Sequence, residues 1–281
     1  MTMLDPRLHA FRPDLADLRL RGQIEANNFT AGDPMTIVDP IASIRREPRF
    51  DAVQTTQALL GEPVRVFERR EGWAWVQLER DGYVGYVSED SLGRPVGTPT
   101  HRVRVPLSYS YPGPDHKSQP ASLLPMNAAV NVTRIGEKYA DLANGRYAIA
   151  AHLAPIAQAA PDFVAVAEQF LGVPYNWGGK TVLGLDCSGL LQTALAAAGI
   201  DCPRDSDMQE SIGTSLSIDR LDNLRRGDLV FWKGHVGIMT SADELLHANG
   251  HFMQVTREPL ATAVARIASL YGTVTGIRRL Q

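Results

Sequence analysis

The stretch Leu185-Asp186-Cys187-Ser188-Gly189-Leu190-Leu191-Gln192 places one of the chain's two cysteines at the start of an apolar run. Apolar residues then recur at helical spacing as far as Ala198, and Gly199 follows as a stop signal. A cysteine at a helix N-terminus meets backbone N–H groups without partners and the positive end of the helix dipole. Both effects favour the thiolate, so the pattern predicts an activated Cys187.

Two further segments accompany this stretch. Pro-Tyr-Asn-Trp-Gly-Gly lies upstream at 174–179, and Gly-His-Val-Gly-Ile lies downstream at 234–238. His235 begins an apolar, strand-like run, where a histidine can take a proton from a thiol and return it to a leaving amine. The combination predicts a cysteine hydrolase.

Composition and charge limit the class of protein. The 281 residues favour two or three domains, and 44% hydrophobic with 21% charged residues is typical of a soluble globular protein. A net charge of −3 favours neither nucleic-acid binding nor attraction to a membrane. The sequence contains no apolar run of about 18 residues, so it predicts no transmembrane helix. Two cysteines are too few for a disulfide framework, and no Cys/His cluster predicts a metal or other cofactor.

The first residues lack the basic and then apolar pattern of a secretory signal. The cytoplasm is therefore the expected location, with the periplasm as the alternative if a leader has been removed.

The first half of the chain has the pattern of a β protein. Residues 1–33 are predicted to form an irregular N-terminal arm, with a short helical turn at 14–20. Segments 34–93 and 98–154 both contain short alternating strands separated by glycine turns at nearly the same interval. We infer two small β-barrels of one type.

The character of the sequence changes after residue 155. Asp162 is a candidate N-cap for a helix over Phe163–Leu171, and the helix of Cys187 follows. Strand-like segments come later, at 228–232, 235–239 and 245–248. Helices first and strands afterwards predict an α+β domain over residues 160–281.

Six short segments of the last domain carry a family resemblance. They are Tyr175–Gly179, Asp186–Gly189, Arg204–Gln209, Arg226–Phe231, Gly234–Ile238 and Leu246–Ala248. In this order they resemble the NlpC/P60 domain, a family of cell-wall cysteine peptidases with a papain-like core. The two β segments resemble bacterial SH3 domains, and the whole layout is similar to γ-D-glutamyl-L-diamino acid endopeptidases. The implied fold is two SH3-like β-barrels followed by an α+β papain-like domain.

The resemblance implies a catalytic group of three residues. Cys187 is the expected nucleophile, with a buried structural cysteine as the alternative, and His235 is the expected general base and acid. His247 follows twelve residues later, which allows a strand, a turn and a return strand. One imidazole can then hydrogen-bond the other and fix its tautomer. Cys202 is predicted to pack in a loop, and His251 to lie in an exposed loop.

The oxyanion needs its own donors. The backbone N–H of Cys187, at the helix start, points to where the oxyanion forms. The resemblance implies that Tyr175 lies beside it and that Trp177 shapes the cleft. The alternative for Tyr175 is an aromatic ring packed under the helix.

Asp186 and Tyr83 are the expected amine-binding residues. Asp186 can simply cap the helix, but the resemblance implies that it also binds the free α-amine of an N-terminal L-Ala. The negative charge of Asp186 opposes formation of the Cys187 thiolate, so we expect the carboxylate to have a second role besides capping the helix. A tyrosine of the SH3-like domain corresponds to Tyr83. Gln54 stands where relatives carry an acidic residue, which weakens this prediction or shifts the role to Asp51.

Ser188, Arg204 and Ser206 complete the expected substrate-binding set. The resemblance implies that Arg204 and Ser206 line the cleft wall near the diamino acid. A solvated loop is the alternative for both.

The implied function is hydrolysis of the γ-D-Glu–diamino acid bond in peptidoglycan peptides with a free N-terminal L-Ala, without a cofactor. Such an enzyme serves murein peptide recycling, and its partner is the peptide. Whether the diamino acid is diaminopimelate or lysine is open, as is the oligomeric state. The alternatives are an amidase or endopeptidase of intact wall anchored by its SH3-like domains, a catalytically dead wall-binding protein, and an acyltransferase.

Overall fold

The computed structural model describes residues 4–95, 97–219 and 221–280. The chain divides into two units, residues 1–156 and 157–281. Both predicted β segments belong to the first unit, and Cys187 belongs to the second. In the described part of the chain, no helix is both long and apolar enough to cross a membrane.

Short strands make up the first part of the first unit. They are β1 (Leu15–Asp17), β2 (Asn28–Thr30), β3 (Asp33–Ile37), β4 (Ile41–Arg45), β5 (Gln54–Leu59), β6 (Pro63–Arg70), β7 (Trp73–Leu78), β8 (Val84–Ser88) and β9 (Leu92–Gly93), with a 3₁₀ turn at Glu89–Ser91. Strands β3 to β9 form one antiparallel sheet in the order β5-β4-β8-β7-β6-β3-β9. Within the described residues, β5 pairs only with β4 and β9 only with β3. The sheet is therefore open, so the β-barrel predicted here is not closed: its end strands do not pair with each other.

Period-two alternation builds the core of this sheet. Val64 and Val66 of β6 and Val76 of β7 are almost fully buried in one apolar cluster. Gly82 (φ +74°) makes the turn between β7 and β8, in the left-handed region that favours glycine. The turn lies where the Asp81-Gly82 signal predicts it.

The N-terminal segment is more ordered than its sequence indicates. Strand β1 pairs in parallel with β2, and a 3₁₀ helix occupies Leu18–Leu20. Ala10 is buried in a cluster with Trp75, and the guanidinium of Arg12 lies 4.3 Å from the Trp75 ring. Residues 4–33 therefore have more regular structure than the predicted irregular arm, because single apolar residues between charged ones anchor the segment without a periodic pattern. That residues 1–33 are a separate N-terminal arm stays a prediction.

The remainder of the first unit contains two smaller sheets. Its strands are β10 (His101–Val103), β11 (Leu107–Tyr111), β12 (Ser122–Pro125), β13 (Ala129–Val130), β14 (Val132–Ile135), β15 (Tyr139–Leu142), β16 (Tyr147–Ile149) and β17 (Leu153–Pro155), with a 3₁₀ turn at Ala150–His152. They pair in the orders β13-β10-β17 and β12-β11-β16-β15-β14. Val103, Leu124 and Ala140 belong to a separate apolar core. That this part is a second SH3-like domain stays a prediction.

The described residues of the second unit combine helices with a six-stranded antiparallel sheet and a two-stranded one. Its elements are α1 (Phe163–Glu168), β18 (Lys180–Thr181), β19 (Gly184–Leu185), α2 (Cys187–Ala197), α3 (Ser206–Gln209), β20 (Thr214–Leu216), a 3₁₀ turn (Leu221–Asn223), β21 (Asp228–Trp232), β22 (His235–Met239), β23 (Glu244–Asn249), β24 (Gln254–Pro259), α4 (Leu260–Tyr271) and β25 (Gly276–Arg279). The main sheet has the order β20-β25-β21-β22-β23-β24, and β18 pairs with β19. Helix α2 is buried along its whole length, which explains its apolar sequence. The neighbouring strands β22, β23 and β24 carry His235, His247 and Glu258.

Candidate active site

Helix α2 begins at Cys187, as the sequence predicts. Asp186 caps it by accepting a hydrogen bond of 2.7 Å from the backbone N–H of Gly189. Gly189 also lies against the carbonyl of Gly179, where a Cβ atom would overlap the oxygen. The motif therefore joins a capped helix start to a backbone contact that only glycine allows.

The Asp186 carboxylate forms a buried ion pair with Arg204. Two Arg204 nitrogens donate to its two oxygens at 3.0 and 2.7 Å, and the backbone N–H of Gly178 donates at 2.7 Å. Arg204 also donates to the hydroxyl of Ser188 at 2.7 Å, and is only 1% exposed. The alternative of a solvated loop is therefore wrong for Arg204. The ion pair with Arg204 is therefore a second role of the Asp186 carboxylate, besides capping α2.

The surroundings of Cys187 favour its protonated thiol form. Burial, and after it the Asp186 charge, are the largest of the effects that raise the pKa of Cys187 to about 12. Hydrogen bonds from the backbone of Val236 and Ser188, and the charge of Arg204, act in the opposite direction. Desolvation of the sulfur therefore works against the thiolate that the helix start favours. The bond to Val236 also brings β22, which begins at His235, against the start of α2.

Two histidines and a carboxylate form a chain of hydrogen bonds across three strands. His235 Nε2 lies 2.8 Å from His247 Nδ1, and His247 Nε2 lies 2.8 Å from Glu258 Oε1. His247 is fully buried, and its ring meets that of His235 at 64° with 5.0 Å between the centroids. The meeting of the two imidazoles is the arrangement that their spacing predicts.

The carboxylate sets the direction of these bonds. A charged carboxylate only accepts, so His247 Nε2 carries the proton and His247 Nδ1 accepts from His235 Nε2–H. A neutral imidazole carries one N–H, which leaves His235 Nδ1 with a lone pair. That nitrogen can take a proton from a thiol.

Both imidazoles are neutral in the free enzyme. Burial is the largest of the effects that together lower the pKa of His235 to about 3, and repulsion from Arg266 and from a protonated His247 acts in the same direction. Burial also lowers the pKa of His247, against the opposing effect of Glu258. Burial therefore favours a thiol at Cys187 and a neutral imidazole at His235.

Sequence reasoning missed Glu258 and Arg266. Glu258 is 8% exposed, accepts from His247, and forms an ion pair with Arg266 of α4. Thr256 pairs with His247 across the β23–β24 hairpin, so Glu258 lies diagonally from His247 on the same face. The Asn249-Gly250 turn signal could have placed this hairpin, but only with the register known.

Tyr175 lies beside the start of α2. Its backbone N–H donates to the Met253 carbonyl at 2.9 Å, and its backbone bridges to Leu185. Burial raises the pKa of Tyr175, and the negative charge of Asp186 acts in the same direction, so its hydroxyl stays a donor. Its contribution to an oxyanion hole stays a prediction. Trp177 is 62% exposed, and its part in shaping the cleft stays a prediction too.

The remaining predicted residues of the second unit are largely buried. Ser188 donates to Asp186 at 3.2 Å, and Ser206 begins α3 at 8% exposure. The Cys202 thiol donates to the Pro203 carbonyl at 3.4 Å. Substrate contacts of Ser188, Arg204 and Ser206 stay predictions. Among the described residues, no group of three or more His, Cys, Asp or Glu side chains is arranged to hold a metal ion.

The predicted amine-binding residues of the first unit have ordinary surroundings. Tyr83 is 5% exposed in the core of the seven-stranded sheet. Gln54 accepts from the Ser43 hydroxyl at 2.7 Å, and Asp51 is an exposed partner of Arg49. Amine binding by Tyr83, and a substitute role for Asp51, stay predictions.

Comparison with known proteins decides the family. The NlpC/P60 family model matches residues 172–269, which include the start of α2 and both histidines. Residues 172–269 form a cysteine peptidase domain of the NlpC/P60 type. Within the first unit of this peptidase, residues 44–92 match the bacterial dipeptidyl-peptidase Sh3 domain. An SH3-like domain therefore precedes the peptidase domain.

Two curated relatives cover most of the peptidase. A γ-D-glutamyl-L-lysine dipeptidyl-peptidase of Bacillus subtilis (strain 168) is 29% identical over 220 residues, which is 70% of this chain and 73% of the relative. One from Bacillus cereus is 29% identical over 239 residues, or 74% of this chain and 71% of the relative.

A crystal structure of an NlpC/P60 family protein from Bacillus cereus shows the same fold. The TM-score is 0.74 at 23% identity, with 88% of this chain and 99% of that chain covered. The likeness extends beyond the peptidase domain.

Proposed function

We propose that this peptidase hydrolyses the γ-D-glutamyl–diamino acid bond of peptidoglycan peptides that carry a free N-terminal L-Ala. The observation that carries the proposal is the similarity to two γ-D-glutamyl-L-lysine dipeptidyl-peptidases over about 70% of the chain. The match of residues 44–92 to a dipeptidyl-peptidase Sh3 domain supports the same activity. The names of both relatives describe a dipeptidyl-peptidase that acts on γ-D-glutamyl-L-lysine.

Cys187, His235 and His247 act together in the proposed reaction. His235 Nδ1 takes the thiol proton as the Cys187 sulfur attacks the γ-carbonyl carbon, and a tetrahedral oxyanion forms. The backbone N–H of Cys187 and the hydroxyl of Tyr175 donate to that oxyanion. His247 holds the His235 ring and disperses the positive charge that the ring acquires.

Collapse of the intermediate breaks the C–N bond. The departing amine of the diamino acid takes the proton from His235, and L-Ala-D-Glu remains as a thioester on Cys187. Water then attacks the thioester carbonyl while His235 takes its proton. The returning proton restores the thiol and frees L-Ala-D-Glu with a new γ-carboxylate.

The free amine defines the pool of substrates. In intact wall the amine of L-Ala is acylated, so an enzyme that requires the ammonium acts on peptides already released from glycan. Recycling of such peptides is the proposed role, and the cytoplasm is the proposed location. Asp186 is the proposed amine partner in the second unit, where it would share a carboxylate already paired with Arg204.

A pair of substrates tests the proposal. The protein is incubated with L-Ala-γ-D-Glu-L-Lys and with its N-acetylated form, and products are followed by liquid chromatography and mass spectrometry. We expect L-Ala-D-Glu only from the free-amine peptide. Equal cleavage of both forms refutes the amine requirement, and release of peptides from purified intact wall favours the wall-hydrolase alternative. The meso-diaminopimelate peptide, run in parallel, gives the preferred diamino acid.

A further inference from the structure

The chain of hydrogen bonds does not end at His247. Glu258 lies between the His247 ring and the guanidinium of Arg266, and all three side chains are largely buried. We propose that Glu258 and Arg266 are positioning residues that fix the tautomers of His247 and His235. The proposal rests on the proposed roles of Cys187 and His235.

The tautomers of the two histidines are linked. If His247 carried its proton on Nδ1, it would donate to His235 Nε2, and the single proton of neutral His235 would move to Nδ1. His235 would then present an N–H to the thiol where a lone pair is needed. The Glu258 carboxylate prevents this, because it can accept a hydrogen bond from His247 Nε2–H but cannot donate one. His247 therefore carries its proton on Nε2.

Arg266 keeps Glu258 in its accepting form. Burial of a carboxylate favours its protonated form, yet the bonds and charges of His247 and Arg266 hold the pKa of Glu258 below its usual value. Among the described residues, the charges that shift it come from His247 on β23 and Arg266 on α4. Phe252 lies at the hairpin tip between β23 and β24, and its ring centroid is 5.4 Å from the guanidinium carbon of Arg266.

Glu258→Gln separates positioning from simple packing. The amide keeps the shape of the side chain but can present its NH₂ group to His247 Nε2, which favours the wrong tautomer. We expect kcat to fall about 10- to 100-fold, the range found when the hydrogen-bond partners of metal-bound histidines are removed, with KM little changed. Glu244→Gln is the matched control, since Glu244 is a more exposed carboxylate on β23 that lies 4.0 Å from Arg257. Its kcat should stay at the wild-type value.

Arg266 is tested by rescue. Arg266→Lys keeps a positive charge beside Glu258 and should retain most of kcat, whereas Arg266→Gln should lose about as much as Glu258→Gln. Thermal unfolding of each variant measures the structural contribution of the ion pair. Equal kcat in the Lys and Gln variants overturns the role of Arg266, even if both melt at lower temperature.

Two readouts need no peptide and so separate this inference from the proposed function. Nitrogen-15 NMR of the histidine rings reports the tautomer, and iodoacetamide alkylation reports proton removal from Cys187. In Glu258→Gln we expect His247 to gain Nδ1–H character and alkylation to slow by about tenfold, a modest share of a general base's contribution. These results with no peptide cleavage would refute the proposed substrate and leave the inference standing. Unchanged tautomers and alkylation would overturn the inference whatever the peptide assay gives.

Discussion

Arg204 holds both carboxylate oxygens of Asp186, at 3.0 and 2.7 Å, immediately before the helix that starts at Cys187. The same carboxylate caps that helix through Gly189. An unpaired buried carboxylate beside the nucleophile would be costly and would resist formation of the thiolate. The ion pair between Asp186 and Arg204 therefore contributes to the arrangement of the site as well as to its stability.

Arg204→Met should destabilise the peptidase by about 3–5 kcal/mol, because it leaves the Asp186 charge buried without its partner. Arg257→Met is the matched control, since Arg257 pairs with Glu168 in the same unit but is 37% exposed at its side chain. Its loss should cost less than about 1 kcal/mol. Urea unfolding of both variants measures the difference, and similar losses would mean that the buried pair is not special.

Replacing Cys187 by Ala should abolish peptide cleavage, because no thiol then remains to form the thioester. Cys202→Ala is the control, since the Cys202 thiol donates to the Pro203 carbonyl and is only partly buried. It should keep wild-type kcat. The two variants are compared by kcat/KM and by mass spectrometry after iodoacetamide treatment. Residual cleavage by the Cys187 variant would remove it from the role of nucleophile.

His247→Gln should lower kcat about 10- to 100-fold with little change in KM, because the His235 ring loses its partner at 2.8 Å. His251→Gln provides the control, since His251 lies exposed in the turn after β23. Steady-state kinetics on the free-amine peptide compare the two variants. Equal effects would show that the loss does not come from the hydrogen bond to His235.

The sequence predicted the local elements of the site well. Helix α2, strands β21 to β23 and the meeting of two histidines follow from apolar spacing, a capping residue and a twelve-residue separation. These features depend on residues close in sequence. The sequence could therefore place Cys187, His235 and His247 before their surroundings were known.

The environment of the site could not be predicted from the sequence in the same way. Desolvation of Cys187 depends on everything packed around α2, so a helix start alone does not indicate that burial raises the pKa of this thiol. The partnership of Arg204 with Asp186 spans 18 positions and has no periodic signal. Glu258 needed the register of a hairpin, and a one-residue slip would turn its side chain to the opposite face.

The pH dependence of kcat/KM should separate the base from the substrate amine. Because burial lowers the pKa of His235 to about 3, its neutral form persists as pH falls, so activity should remain at pH 5, where a histidine with the usual pKa of about 6.5 is mostly protonated. The Cys187 thiol, with its pKa raised to about 12, should add no limb near neutrality. If the ammonium of the peptide is required, activity should fall above about pH 8 as that amine loses its proton. An acid limb near pH 6.5 would mean that the His235 ring is solvated in the free enzyme, and an unchanged rate from pH 7 to 9.5 would mean that the ammonium is not recognised.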